Sequence, residues 1–212
     1  MKKLLLLVNI LMITSLLNAQ PARNYFLNMP DSLTPLLSAV NKADFVDFLE
    51  SDMKARVKNK FGNVSEMTDL DSTYVRIAMT DRSSWQLKVL TLNDSVNILC
   101  TVFTACAPVC DSKIRFFSTE WEELPLSDYL ALPAMDNFFL PADSVQTEEY
   151  KELRLKTDML LVTADFSEAD ELLTLTFTTP RYMEEEDAEK LKDYLRNPLI
   201  YRWEEGQFKN IP

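Results

Sequence analysis

Between Thr73 and Ser118 the chain reads TYVRIAMT (73–80), WQLKVLTL (85–92), NILCTVFTA (97–105) and SKIRFFS (112–118), separated only by DRSS, NDS and CAPVCD. Four β-rich runs joined by connections this short have one solution. A parallel crossover needs about a dozen residues or more, so consecutive runs must be antiparallel neighbours in one sheet. In the first run Val75, Ile77 and Met79 alternate with Tyr74, Arg76 and Thr80, and the second run alternates likewise. Both therefore predict strands with one wet face. The third run is apolar at nearly every position and predicts a central strand covered on both sides.

The segments on either side obey other periods. Asp31–Val40 and Asn41–Asn59 (NKADFVDFLESDMKARVKN) predict a helix-loop-helix packed on the sheet. Asn41 is the expected cap, Asp44 stands three residues on, and Phe45, Phe48, Leu49, Met53 and Val57 fall mainly on one face. Glu50 with Lys54 and Asp52 with Arg56 are spaced for ion pairs on that helix. Farther on, MLLVTADF (159–166) and LLTLTFTT (172–179) predict a hairpin around SEADE. Met183–Arg196 predicts a helix ending before Asn197-Pro198, and Leu199–Lys209 a closing strand. The expected fold class is α+β: antiparallel sheet packed against a helix-loop-helix and further helices.

ILCTVFTACAP (98–108) resembles LLTLTFTTP (172–180), and each precedes a Trp-Glu-Glu segment, which suggests two related halves. The expected organisation is 20–132 for the first half and 133–212 for the second. The connection from Leu124 to Asp143 carries Pro125, Pro133 and Pro141 with Phe138 and Phe139, too much apolar surface for a solvated linker.

Composition excludes several chemistries. The chain has no histidine, the commonest general base and metal ligand. Its two glycines, Gly62 and Gly206, cannot build a phosphate-cradling loop. At the start, Lys2 and Lys3 precede an apolar run from Leu4 to Leu17, the arrangement of a secretory signal peptide over residues 1–19 with cleavage before Gln20. That run is shorter than the roughly 20 residues of a membrane-spanning helix, so no integral segment is expected after cleavage. Loss of the two lysines leaves 20 basic against 33 acidic residues, a net charge of −13, which repels nucleic acid and anionic lipid. Periplasmic or secreted localisation follows as the expectation.

MPDSLTPLL, ADFVDFLESDMKARVKNKFGNVSEMTDLDSTYVRI and APVCDSKIRFFSTEWEELP resemble a family of exported Bacteroidales proteins classed only as a domain of unknown function. The resemblance implies an extracytoplasmic α+β domain and brings no catalytic residue, cofactor or ligand.

Cys106 and Cys110 stand three residues apart at a strand corner. A thioredoxin-type pair has two intervening residues at a helix start, and a zinc site would need Cys100 to converge with no histidine to help. An oxidising compartment leaves a local disulfide or two inert thiols as the readings of the pair. Glu184–Asp187 fits a helix start, where negative charge opposes the dipole. The SEADE turn and Asp69–Ser72 offer oxygens without EF-hand spacing, so no metal is expected. Glu120, Glu122 and Glu123 around Trp121, and Glu204 and Glu205 after Trp203, set acids beside aromatics as glycan hydrolases do. The expected function is a non-enzymatic exported domain, without cofactor, that binds a protein partner; the alternative is a carboxylate-dependent hydrolase acting on glycans.

Overall fold

The computed structural model describes residues 21–93, 96–141, 147–196 and 198–211. The expected signal peptide and its cut before Gln20 lie outside them. The fold is α+β, with two antiparallel sheets and four α-helices in the described residues. Strands β1 (Ala55–Lys58), β2 (Val64–Leu70), β3 (Tyr74–Thr80), β4 (Ser83–Asn93), β5 (Val96–Cys106), β6 (Cys110–Phe117) and β7 (Glu123–Leu124) form a seven-stranded meander in chain order. Strands β8 (Val162–Phe166), β9 (Leu172–Phe177), β10 (Leu199–Glu204) and β11 (Gln207–Ile211) form a four-stranded meander. The four expected strands from Thr73 onward are β3 to β6, antiparallel as required.

Alternation divides the large sheet into two cores. Val75, Ile77, Met79, Trp85, Leu87 and Leu99 face helices α1 (Pro21–Asn28) and α2 (Ala39–Glu50), which contribute Phe26, Phe45 and Val46. Tyr74, Leu90, Ile98, Cys100, Val102 and Phe116 face the four-stranded sheet, which contributes Phe166, Leu173, Leu175 and Trp203. The wet face expected of β3 and β4 is therefore dry: its polar residues Gln86 and Lys88 are buried under the second sheet. Phe138 and Phe139, in the proline-containing connection, are buried in the same inter-sheet core.

The second sheet is fastened across the first by its edge strand. The backbone N–H groups of Val162, Ala164 and Phe166 in β8 have no strand beyond them. They donate instead to Asp111 Oδ1 (2.9 Å), Ser112 Oγ (2.9 Å) and Gln86 Oε1 (3.1 Å) of the large sheet. An open edge is thereby satisfied by side chains rather than by another strand. Gln86 also accepts from the Tyr74 hydroxyl at 3.0 Å and donates to Asp165 at 2.8 Å, while Arg76 reaches the same carboxylate at 3.0 Å. Lys88, 2% exposed, donates to the carbonyls of Ser167 (3.1 Å) and Glu168 (2.7 Å) in the β8–β9 turn.

The expected helix-loop-helix is corrected at both ends. Residues 31–37 are turns rather than helix, and a helix lies earlier, at α1. Ser38, not Asn41, caps α2. Its hydroxyl accepts from Asn41 N–H, and the Asn41 side chain accepts from Ser38 N–H, a reciprocal capping box. The helix stops at Glu50 because Asp52 adopts φ 54°, letting Asp52 N–H reach Leu49 O (3.0 Å) and Met53 N–H reach Phe48 O (2.8 Å), a Schellman closure without glycine. The expected Glu50–Lys54 and Asp52–Arg56 pairs are replaced by Arg23–Glu50 and Arg56–Glu66, because Arg56 lies in β1.

The helix expected over 183–196 shortens to α4 (Glu185–Leu191) flanked by single turns, and α3 is Glu148–Leu155. The single closing strand is a hairpin. Glu205 (φ 52°) and Gly206 (φ 79°) supply the two left-handed positions of a tight turn between β10 and β11. A Cβ on Gly206 would stand 2.8 Å from Leu92 Cδ1.

Candidate functional site

The helix layer does not cover the whole of its face. One cross-strand row on that face runs Ile77, Trp85, Phe103, Lys113 in direct register across β3 to β6. Side chains directly opposite across an antiparallel pair are neighbours on the same face. At the β3 end of this row the residues are buried beneath the helices; at Phe103 the cover ends and the ring is 40% exposed. A cleft of about 240 Å³ opens there. Trp85, Phe103 and Phe117 belong to its sheet side, and the link between α1 and α2 contributes Met29, Leu33 and Pro35. Trp121 lies at the far side, and Lys113 and Arg115 bring positive charge to an otherwise apolar lining.

Three polar features distinguish this cleft from an ordinary packing gap. Thr34, 1% exposed and part of the lining, has a hydroxyl with no hydrogen-bond partner among the described residues. Buried polar groups are satisfied in the great majority of cases, so an orphan beside a cleft is informative. Lys113 is exposed and makes no salt bridge among the described residues, whereas Arg115 is held bidentately by Glu123 at 2.8 and 2.6 Å. That pair pushes the Arg115 pKa up and the Glu123 pKa down, in each case chiefly through the hydrogen bond. Lys113 feels Glu123 only through its charge, without a hydrogen bond or salt bridge among the described residues.

The third feature is Trp121, which adopts φ 66°, a left-handed conformation uncommon for a bulky residue. The turn from Ser118 to Glu122 enforces it. Ser118 N–H donates to Glu122 O (2.8 Å), Trp121 N–H donates to Ser118 O (3.1 Å), and Ser118 Oγ accepts from the N–H groups of Glu120 and Glu122. The indole N–H donates to Tyr25 O at 3.1 Å and the ring lies 5.4 Å from Phe117. Strain of order 1–3 kcal/mol at such a residue persists only where its surroundings over-determine it, and it concentrates at binding sites.

The residues singled out from the sequence lie elsewhere. Cys106 and Cys110 face each other across the β5–β6 hairpin and are disulfide-bonded, with Cα atoms 3.8 Å apart. Cys100 is a free thiol buried in the inter-sheet core, and burial pushes its pKa well up. No group of three or more histidine, cysteine, aspartate and glutamate residues fit to hold a metal occurs among the described residues. Glu185, Glu186 and Asp187 occupy the first turn of α4.

The two Trp-Glu-Glu segments are not equivalent in structure. Trp121 sits in a left-handed turn against the helix-side core, and Trp203 in mid-strand in the inter-sheet core, its indole N–H on Thr91 O at 2.8 Å. Glu123 pairs with Arg115, Glu204 with Arg202 and Glu205 with Lys209. Hydrogen bonding lowers the pKa of Glu120, Glu123 and Glu205, the direction opposite to that of a general acid. Sequence reasoning placed Phe103 on a buried strand and passed over Thr34 and Lys113. Its available signal was the register, which puts Phe103 opposite Lys113.

These features define a two-sheet α+β domain with an open apolar cleft under its helix layer. The chain belongs to the family described as Protein of unknown function (DUF3256), whose profile matches residues 14–208. It is also similar to a solved structure described as a domain of an uncharacterized protein from Porphyromonas gingivalis W83. That similarity has a TM-score of 0.80 at 25% identity and covers 91% of this chain and 100% of the other. The resemblance to a Bacteroidales family of unknown function is borne out. No curated protein is similar enough to the chain to match. Among the described residues, no helix is long and apolar enough to cross a membrane.

Proposed function

We propose that this chain is an exported, non-enzymatic domain that binds a protein partner through the cleft beneath its helix layer. The observation that carries the reading is Phe103. It stands in register between Trp85 and Lys113 on a face whose other aromatic residues are buried, and the body of the molecule leaves it uncovered. Aromatic anchors in small apolar depressions with a polar rim are the usual energetic centre of protein interfaces. The glycan-hydrolase reading draws no support from the carboxylates beside the tryptophans: Glu123, Glu204 and Glu205 are tied to neighbouring cations, and Glu120, Glu123 and Glu205 are lowered in pKa.

Export rests on the residues 1–19 pattern, and intact mass from the native host should give a chain starting at Gln20; retention of residues 1–19 contradicts it. Binding is tested by affinity capture with wild type and Phe103→Glu side by side. A protein retained by wild type and lost by the variant, with the melting temperature of the variant within a few degrees, is expected. A partner captured equally by both places the interface elsewhere.

A further inference from the structure

We propose that what enters the cleft is a single bulky apolar side chain of the partner, with a carboxylate beside it that is received by Lys113. The inference rests on the binding role proposed for the cleft and adds the chemistry of the occupant.

Size sets the first term. At the share of liquid volume of a water molecule, about 30 Å³, a 240 Å³ cleft takes about eight non-hydrogen atoms, close to the size of one phenylalanine side chain. A lipid acyl chain is about twice that. Trp85, Phe103, Phe117 and Trp121 supply aromatic surface to the cleft, which suits an aromatic side chain.

Charge sets the second. The protein carries 33 acidic against 22 basic residues and so repels anions in general. Against that background this apolar lining holds two cations, of which Arg115 is neutralised by Glu123 and Lys113 has no ion pair among the described residues. Lys113 lies directly opposite Phe103 in the β5–β6 register, so a group bound against the ring sits beside the ammonium. A carboxylate accepts from the Lys113 ammonium, and a neutral apolar side chain leaves it unmatched.

Left-handed Trp121 is consistent with a wall set in advance of binding. The Ser118–Glu122 hydrogen bonds fix its backbone, and Tyr25 O holds its indole. A ligand then loses little to ordering the site.

The probe is N-acetylphenylalanine, compared with its amide, titrated into the ¹⁵N-labelled protein while the tryptophan indole resonances are followed. Trp85 and Trp121 adjoin the cleft and Trp203 lies in the other core, so the protein carries its own control. The acid is expected to shift Trp85 and Trp121 saturably and to leave Trp203 in place. The amide is expected to bind about 3- to 10-fold more weakly, the worth of a charge-assisted contact at a partly exposed site. Lys113→Gln should bring the acid down to the affinity of the amide.

Equal binding of acid and amide, unaffected by Lys113→Gln, overturns the carboxylate assignment and leaves the apolar cleft standing. Absence of any shift at Trp85 and Trp121 overturns the inference, while the Phe103→Glu capture decides the binding role separately. Dodecanoate binding more tightly than N-acetylphenylalanine and displacing it makes the occupant a lipid, and that too overturns the proposal.

Discussion

The two faces of the seven-stranded sheet are closed in opposite ways. The face towards the second sheet carries a polar seam of Tyr74, Arg76, Gln86, Lys88 and Asp165, joined by hydrogen bonds of 2.7–3.4 Å, and a cleft of about 520 Å³ between β6 and the second sheet, lined by Ile114, Ala164 and Leu175 among others. The helix side is largely apolar, yet its cleft holds a hydroxyl without a hydrogen-bond partner and a lysine without a salt bridge among the described residues, and an exposed aromatic ring. Polar groups buried in a seam specify one docking geometry, because any other leaves them unsatisfied. An apolar face needs no such match, so a binding depression can be left in it at little cost. The seam joins the two sheets, and the cleft on the other face is the one proposed for a partner.

Stability measurements by chemical denaturation should reproduce the contrast, beginning with the largest effect. Phe116→Ala removes a fully buried ring stacked 5.0 Å from Tyr129 between the sheets and should cost about 3–5 kcal/mol, whereas Phe103→Ala in the cleft should cost under about 1 kcal/mol. Comparable losses at the two positions would erase the distinction between the faces.

Next is the seam. Gln86→Leu strands the Phe166 N–H and the Tyr74 hydroxyl proton and should cost about 2–3 kcal/mol, against a neutral or slightly favourable Thr34→Val.

The alkaline limb gives a smaller signature. Burial pushes the Tyr74 pKa up to about 12 from an ordinary 10.0, so the folded chain keeps a proton that the unfolded chain releases. Stability present below pH 10 is therefore lost as the pH rises towards 12. Tyr74→Phe should flatten that fall relative to wild type. Lys88, lowered by burial, contributes with the opposite sign, and Tyr201, raised by burial, with the same sign, so the difference between the two proteins is the quantity to read.

Smallest is the hairpin tip. Replacing Cys106 and Cys110 together by serine opens a loop with a sequence separation of four and should cost at most about 2 kcal/mol, without altering binding at the cleft.

How much of this was legible depends on what each segment expresses locally. Strands β3 to β6 were readable because their period and short turns admit one arrangement. Strand β2 (VSEMTDL) was not, since it buries Ser65 and Met67 and exposes an acidic remainder, with Ser65 Oγ satisfied by Met79 O at 2.7 Å. The end of α2 was hidden because aspartate, rather than glycine, takes the left-handed position. The single wet face of β3 and β4 was misread for a general reason: local alternation separates polar from apolar residues and cannot tell water from a second sheet that satisfies Gln86 and Lys88. The cleft was the least legible part. Its polar features gain meaning only when residues 34, 103, 113 and 121 come together, and register alone linked two of them.

The most direct test of the central claim is site-specific photocrosslinking in the native host, with a benzophenone side chain at position 103 and, as control, at position 202 on the exposed side of β10. The expected result is a discrete adduct to one partner from position 103 and none from position 202. Adducts from 202 alone, or none from 103 under conditions where the protein is folded and exported, would contradict the assignment of the helix-side cleft as the working face.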